Sequence, residues 1–493
     1  MMTLKRKTVN TIIVLAGLFG LLLPQWAQAA DAAGAAQSEA GAAQSEAGVA
    51  QSGAGAAPEG PVLTTGEIRP DEGAAQSEAG EAQSGEDAAE VEQILENMTL
   101  GQKIRQMFVI TPEALTGVGQ VVQAGDTTYT ALEEDPVGGL IYMEPNIQSV
   151  TQVQTMLSTV QDYSREITGL PLFLCVDEEG GTVRRISGHI WDDSGLEIPE
   201  IPDMLTVGQT GDLSYAEETG TRIGTYLKAL GFNVDFAPDA DVVADPYSSA
   251  IGTRSFGPDP IQTADMVAAV TEGIRSQGVC TALKHFPGHG AVSGDSHEGI
   301  VSSDKTLDQL RQEDLIPFGS GIGAGSEFVM AGHISYPNIT GSDVPASLSK
   351  TFLTDILREE MGFRGLVITD ALDMGAVVNT YSSADAAVMA VSAGADLLLM
   401  PADFRSAVDG VEGAVLDGRI SEERIDQSVR RIISLKLRLE EQAAEDPVAA
   451  SPVTEDPGTS QNFEEPVDES PTAAGQPTGP VDGSQIIEDP GSD

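Results

Sequence analysis

Between residues 91 and 440 the chain alternates short apolar runs with longer amphipathic segments. The runs cover residues 106–110, 139–143, 172–177, 234–237, 279–285, 328–333, 366–370 and 396–400, and they are rich in Val, Ile, Leu and Phe. Runs of this length, bounded by turn residues, predict strands buried on both faces. The segments between them, such as residues 215–230, 263–277 and 348–361, carry the apolar stripe of amphipathic helices. Eight strands alternating with helices predict the α/β class and a single (β/α)8 barrel of the TIM type. A doubly wound open sheet is the alternative. It is weakened by the lack of a dinucleotide-type glycine fingerprint after the first run.

A barrel places the C-terminal ends of its strands on one face, so polar residues there converge. The third run ends in Asp177, the fifth in Lys284 and His285, the sixth in His333 and the seventh in Asp370. An ionised Asp closing an apolar strand is costly unless it faces a polar site. The Gly/Pro-rich loop after the fifth run holds two further histidines, His289 and His297, of five in the chain, and sets Asp295 two residues before His297. A carboxylate beside an imidazole orients the ring and raises its basicity, which suits proton transfer near neutral pH. Zinc binding is the alternative use of His285, His289 and His297. Their spacing lacks the helical His-Glu-x-x-His form, so we expect no metal and no cofactor. Asp370 has a second reading as a helix N-cap, and Asp373 is a rival carboxylate one helical turn on. Glu178 and Glu179 flank a glycine turn and read as structural. His289 reads as loop-shaping and Arg184 as a surface residue. His333 divides evenly between lining a pocket and satisfying a backbone carbonyl.

Composition bounds the rest. Residues 1–29 have a basic start, an apolar middle and an Ala-Gln-Ala end, the form of a secretory signal, with an uncleaved anchor as the alternative. The apolar run is short for a membrane span, so no stable insertion is expected beyond that segment. Residues 30–88 repeat Ala-Ala-Gln-Ser-Glu-Ala-Gly and read as a low-complexity disordered linker. Residues 441–493 hold no Lys or Arg and read as an acidic disordered tail, leaving 89–440 as the folded domain. We therefore expect an exported protein, secreted or held by its signal segment. The formal net charge of −50 argues against nucleic-acid partners, because phosphate contacts need a basic face. Cys175 and Cys280 both lie in strand runs and read as buried free thiols.

The motifs resemble those of family 3 glycoside hydrolases. Residues 176–185, Val-Asp-Glu-Glu-Gly-Gly-Thr-Val-Arg-Arg, are similar to that family's Asp-x-Glu-Gly-Gly-x-Val-x-Arg signature. Residues 284–290, Lys-His-Phe-Pro-Gly-His-Gly, resemble its substrate-binding strand and loop, and residues 251–257 its arginine motif. Residues 367–372, Val-Ile-Thr-Asp-Ala-Leu, resemble the strand with the nucleophile, and Asp295-Ser296-His297 the mark of the β-N-acetylglucosaminidase branch. Thr182 and Ala291-Val292 depart from the branch pattern, which bears on the aglycone side more than on the reaction.

The resemblance implies a retaining β-N-acetylglucosaminidase in which Asp370 is the nucleophile and His297, held by Asp295, the acid/base. It implies that Asp177, Arg185, Arg254, Lys284 and His285 bind a terminal GlcNAc, the substrate being a GlcNAc-terminated saccharide such as a peptidoglycan fragment. Two rivals stand beside it: a β-glucosidase or phosphorylase of the same family, and a non-catalytic wall-associated sugar-binding protein.

Overall fold

The computed structural model describes residues 85–245, 250–290, 292, 296 and 299–445. The signal, residues 30–84 of the repeat linker, residues 446–493 of the acidic tail, and Asp295 and His297 lie outside the described residues; residues 85–88 and 441–445, read as disordered, are helical. Helical backbone begins at Gly85 and ends at Glu445, on either side of the span read from composition.

Eight strands form one sheet. They are β1 (Phe108–Ile110), β2 (Gly139–Ile141), β3 (Phe173–Val176), β4 (Val234–Asp235), β5 (Cys280–Phe286), β6 (Phe328–Ala331), β7 (Leu366–Thr369) and β8 (Leu398–Leu399). From β1 to β7 each pairs in parallel with the next, and β8 pairs in parallel with β1. A parallel bridge between Ile368 and Leu397 joins β7 to the start of β8. The Thr369 N–H donates to the Leu397 carbonyl at 3.1 Å across the same seam. The sheet is thus a closed (β/α)8 barrel and not the open alternative. Closure removes both sheet edges, whose backbone groups would otherwise lack partners.

The apolar runs outline the strands but overrun them. Gln106 belongs to the helix Leu100–Gln106, because Thr99 and Gln102 form a capping box that starts a helical turn there. The segment near 348–361 is wound wider than an α-helix. It is a π-helix over Thr351–Glu360, and the Met361 N–H reaches the Ile356 carbonyl at 2.8 Å. Among the described residues no helix is long and apolar enough to cross a membrane. Cys175 and Cys280 are free and buried.

The barrel floor holds an amine. Lys436, on the helix Glu422–Glu445, is fully buried. Its Nζ donates to Gln106 Oε1 at 2.8 Å and stands 5.2 Å from the centroid of the Phe173 ring. Burial pushes its pKa down to about 7. A lysine whose folded pKa lies below its unfolded value of about 10.5 binds fewer protons when folded. Stability should therefore rise with pH between about 7 and 10.5, and Lys436→Met should lose that increment. Urea denaturation midpoints at pH 7 and pH 9.5 check this. Identical pH slopes for the two proteins would show that Lys436 titrates normally.

Candidate active site

The chemistry-bearing residues gather at the C-terminal mouth. On a regular strand Lys284 and His285 would point to opposite faces. The pairing register between β5 and β6 shifts between Leu283 and Phe286, so two residues face one on β6. Such a bulge re-aims side chains at a rim. Both Lys284 and His285 accordingly join the buried polar cluster.

The loop after β3 is built by Glu178. Its carboxylate accepts from the backbone N–H groups of Arg185, Ile186 and Ser187 at 2.6, 2.9 and 2.9 Å, and from the Tyr226 hydroxyl at 2.8 Å. Four donors satisfy a buried carboxylate and fix where the loop puts Arg185. The turn before it needs glycine. Gly180 and Gly181 have φ of +86° and +58°, and a Cβ on either would come within 2.7 Å of the segment Ile201–Asp203.

A charge lattice spans the mouth. Lys284 Nζ lies 2.7 Å from Asp177 Oδ1 and 2.6 Å from Glu179 Oε1. Arg254 grips Glu179 with two bonds of 2.8 Å, from Nε and from one Nη. Burial alone would raise the Glu179 pKa, but the Arg254 and Lys284 charges outweigh it and hold the group down at about 2. Arg185 is 3.8 Å from Asp177, and its buried Nε has no partner.

A second cluster sits behind His285. Its Nδ1 lies 2.8 Å from Asp241 Oδ2 and its Nε2 lies 3.2 Å from an Arg254 Nη. Its Nδ1 donates to the carboxylate. Asp239 lies 3.6 Å from Arg254. Burial, then the neighbouring Asp241 charge, pushes the Asp239 pKa well up, whereas the His285 hydrogen bond offsets burial and keeps Asp241 ionised. Asp239, Asp241 and His285 offer ligand atoms within 4.8 Å of one another. Arg254 already supplies the positive charge beside them, so the trio reads as the support of His285.

Asp370 closes β7. Its backbone N–H donates to the Ala331 carbonyl at 2.8 Å, and its Oδ1 accepts from the Ala371 N–H at 2.8 Å. Burial would raise its pKa, yet the fields of His285 and His333, with the Ala371 bond and Lys284, bring it below the ordinary value. The carboxyl therefore shares the mouth with Lys284 and His285 and is ionised. His333 is buried and answers the even choice left by the sequence. Its Nε2 donates to the Ala371 carbonyl at 2.9 Å and its Nδ1 meets the Ser347 hydroxyl at 2.7 Å. It braces the peptide next to Asp370. His289 contacts Ser296 Oγ at 3.2 Å.

The structure thus brings Asp177, Arg185, Arg254, Lys284, His285 and Asp370 to one mouth. Asp295 and His297 are outside the described residues. Ser296, between them in sequence, is described, and its carbonyl accepts from the Ala376 N–H at 3.0 Å, six residues past Asp370. Sequence reasoning missed Asp239 and Asp241 and left Glu179 as a turn residue. The first two had a usable signal: two acids spaced by one residue just beyond the fourth apolar run.

A closed parallel barrel with an ionised strand-end carboxylate among cationic and imidazole side chains is the layout of a TIM-type α/β barrel with its site on the C-terminal face. Residues 99–435 match the glycosyl hydrolase family 3 N terminal domain, and the chain belongs to that family. It is 32% identical over 340 residues to Beta-hexosaminidase A of Pseudoalteromonas piscicida, which covers 64% of this chain and 56% of that protein. It is 37% identical over 275 residues to Beta-hexosaminidase LpqI of Mycobacterium tuberculosis, covering 54% of this chain and 68% of the relative. The chain thus spans little more than half the length of the first of these. Among solved structures, a glycoside hydrolase family 3 beta-N-acetylglucosaminidase from Paenibacillus sp. str. FPU-7 superposes with a TM-score of 0.64 at 35% identity, covering 70% of this chain and 64% of that one.

Proposed function

We propose that this protein is an exported retaining β-N-acetylhexosaminidase that removes terminal β-linked GlcNAc, with peptidoglycan fragments as its source. One observation carries the reading. Asp370, ionised and bonded at the end of β7, shares the barrel mouth with Lys284 and His285. The relatives named beta-hexosaminidase and the acetylglucosaminidase neighbour support the sugar class.

The terminal sugar binds through the lattice of Asp177, Lys284, Arg185 and His285, whose charged groups make short directional bonds to hydroxyls. The Asp370 carboxylate attacks the anomeric carbon as the bond to the leaving oxygen breaks, giving a glycosyl ester. His297, oriented by Asp295, gives its proton to that oxygen. Water then donates a proton back to His297 and attacks the same carbon, releasing the sugar with retained configuration. Arg254 acts through Glu179 and His285, since two of its three nitrogens are already bonded to Glu179.

The test is release of p-nitrophenol from the β-GlcNAc and β-glucose glycosides. Hydrolysis of the first well above the second supports the reading. Equal rates favour a glucosidase, acceleration by phosphate a phosphorylase, and silence on both a binding protein. We further expect His297→Ala to spare substrates with acidic leaving groups and to cripple unactivated saccharides, because only the latter need a proton. An equal loss on both substrate types would remove His297 from the acid role.

A further inference from the structure

The chain has two tryptophans. One of them, Trp191, is among the described residues and is 73% exposed. Single exposed apolar side chains are ordinary, but three features set this one apart.

It lies on the β3 loop that also carries Asp177 and Arg185, six residues past the arginine. Six residues span at most ~20 Å. The turn in which His189 and Ile190 both donate to the Ile186 carbonyl shortens that reach. Its backbone is also tied on both sides. The Trp191 N–H donates to the Gln148 carbonyl at 3.0 Å, and its own carbonyl accepts from Val150 at 3.1 Å. Asp193 then accepts from the Ser149 hydroxyl at 2.8 Å and the Thr151 N–H at 2.9 Å, binding the loop to the helix Val150–Thr168. The indole is therefore held out from fixed backbone. Finally, it has polar chain neighbours: Asp192 accepts from Ser194 and Gly195, and His189, two residues before it, stands 3.6 Å from Glu144. An exposed aromatic face beside polar groups, on a loop that carries site residues, suits recognition of an amphipathic ligand.

We propose that Trp191 is the stacking platform for a pyranose ring on the leaving-group side of the substrate. This rests on the hydrolase reading above. A mouth that holds one terminal ring sends the rest of the saccharide outward over the loops. A pyranose offers an apolar C–H face and a polar edge, the complement of an indole with carboxylates as chain neighbours.

The experiment compares β-1,4-linked tri-GlcNAc with p-nitrophenyl β-GlcNAc. Trp191→Ala should lower the ratio of kcat/KM for the trisaccharide over that for the aryl glycoside by about tenfold, through KM. Trp191→Phe, which keeps a ring, should retain most of the ratio. An unchanged ratio in Trp191→Ala, or an equal fall in Trp191→Phe, overturns the proposal. A second arm needs no turnover. The trisaccharide should change the tryptophan fluorescence of Asp370→Ala protein, and adding Trp191→Phe should abolish the change. If the wild-type protein cleaves neither substrate, the hydrolase reading fails while the fluorescence titration still decides the platform.

Discussion

On the proposed mechanism Asp370→Ala should lower kcat by roughly 10⁴–10⁶-fold, the range seen when a covalent nucleophile is removed, and leave the fold intact. The expectation follows from where the side chain sits. Asp370 is held by backbone at both ends, through its N–H on Ala331 and its Oδ1 on the Ala371 N–H. A carboxylate so fixed under a bound sugar needs no reorganisation to attack. Ala at this position keeps the bond to Ala331, so the strand end survives. Azide, small enough to fill the space of the lost carboxyl, should then restore turnover of an aryl glycoside and yield a glycosyl azide. Product configuration by NMR checks the face of attack. Residual activity within tenfold of wild type would transfer the role to Asp373.

Lys284→Met should destabilise the protein by about 3–5 kcal/mol, the cost of stranding buried charges. It should also reduce kcat/KM by roughly 10²-fold through lost charge-assisted bonds to the sugar. Lys284 is 2% exposed and bridges Asp177 and Glu179 at 2.7 and 2.6 Å. Without the ammonium those carboxylates face each other with Arg254 as the nearest remaining cation on Glu179. The effect has a pH signature. Glu179 has a folded pKa of about 2 against a reference value of 4.5. A depressed carboxylate contributes stability that is present above the unfolded pKa and is lost as pH falls through the folded one. Losing Lys284 raises the folded value, so the variant should show less of the stability that wild type loses between about pH 4.5 and 2. Urea midpoints from pH 3 to 8 measure this. A wild-type midpoint throughout would mean that Lys284 carries no structural charge.

Much of the barrel was legible because its strands are buried on both faces and read as unbroken apolar runs between turn residues. The strand boundaries were less legible, since a hydrophobic run continues into the helix Leu100–Gln106, where a capping box overrides it. Site residues that close apolar runs, Asp177, Lys284, His285 and Asp370, were conspicuous because charge at a buried strand end demands a reason. Asp239 and Asp241 lie beyond such a run, where acids are common, and only their one-residue spacing marks them. Glu179 sits beside Glu178 in sequence, yet one organises backbone N–H groups and the other pairs with two cations.

The sequence by itself determined the order of strands and helices, the chemistry at the strand ends and the family. These are properties of local pattern, set by burial and by turn residues. Only the tertiary structure decided that the sheet closes, that a bulge turns Lys284 and His285 to one side, and which carboxylates keep their protons. Those outcomes depend on pairing register and on distances between charges far apart in the chain, which no window along the sequence contains.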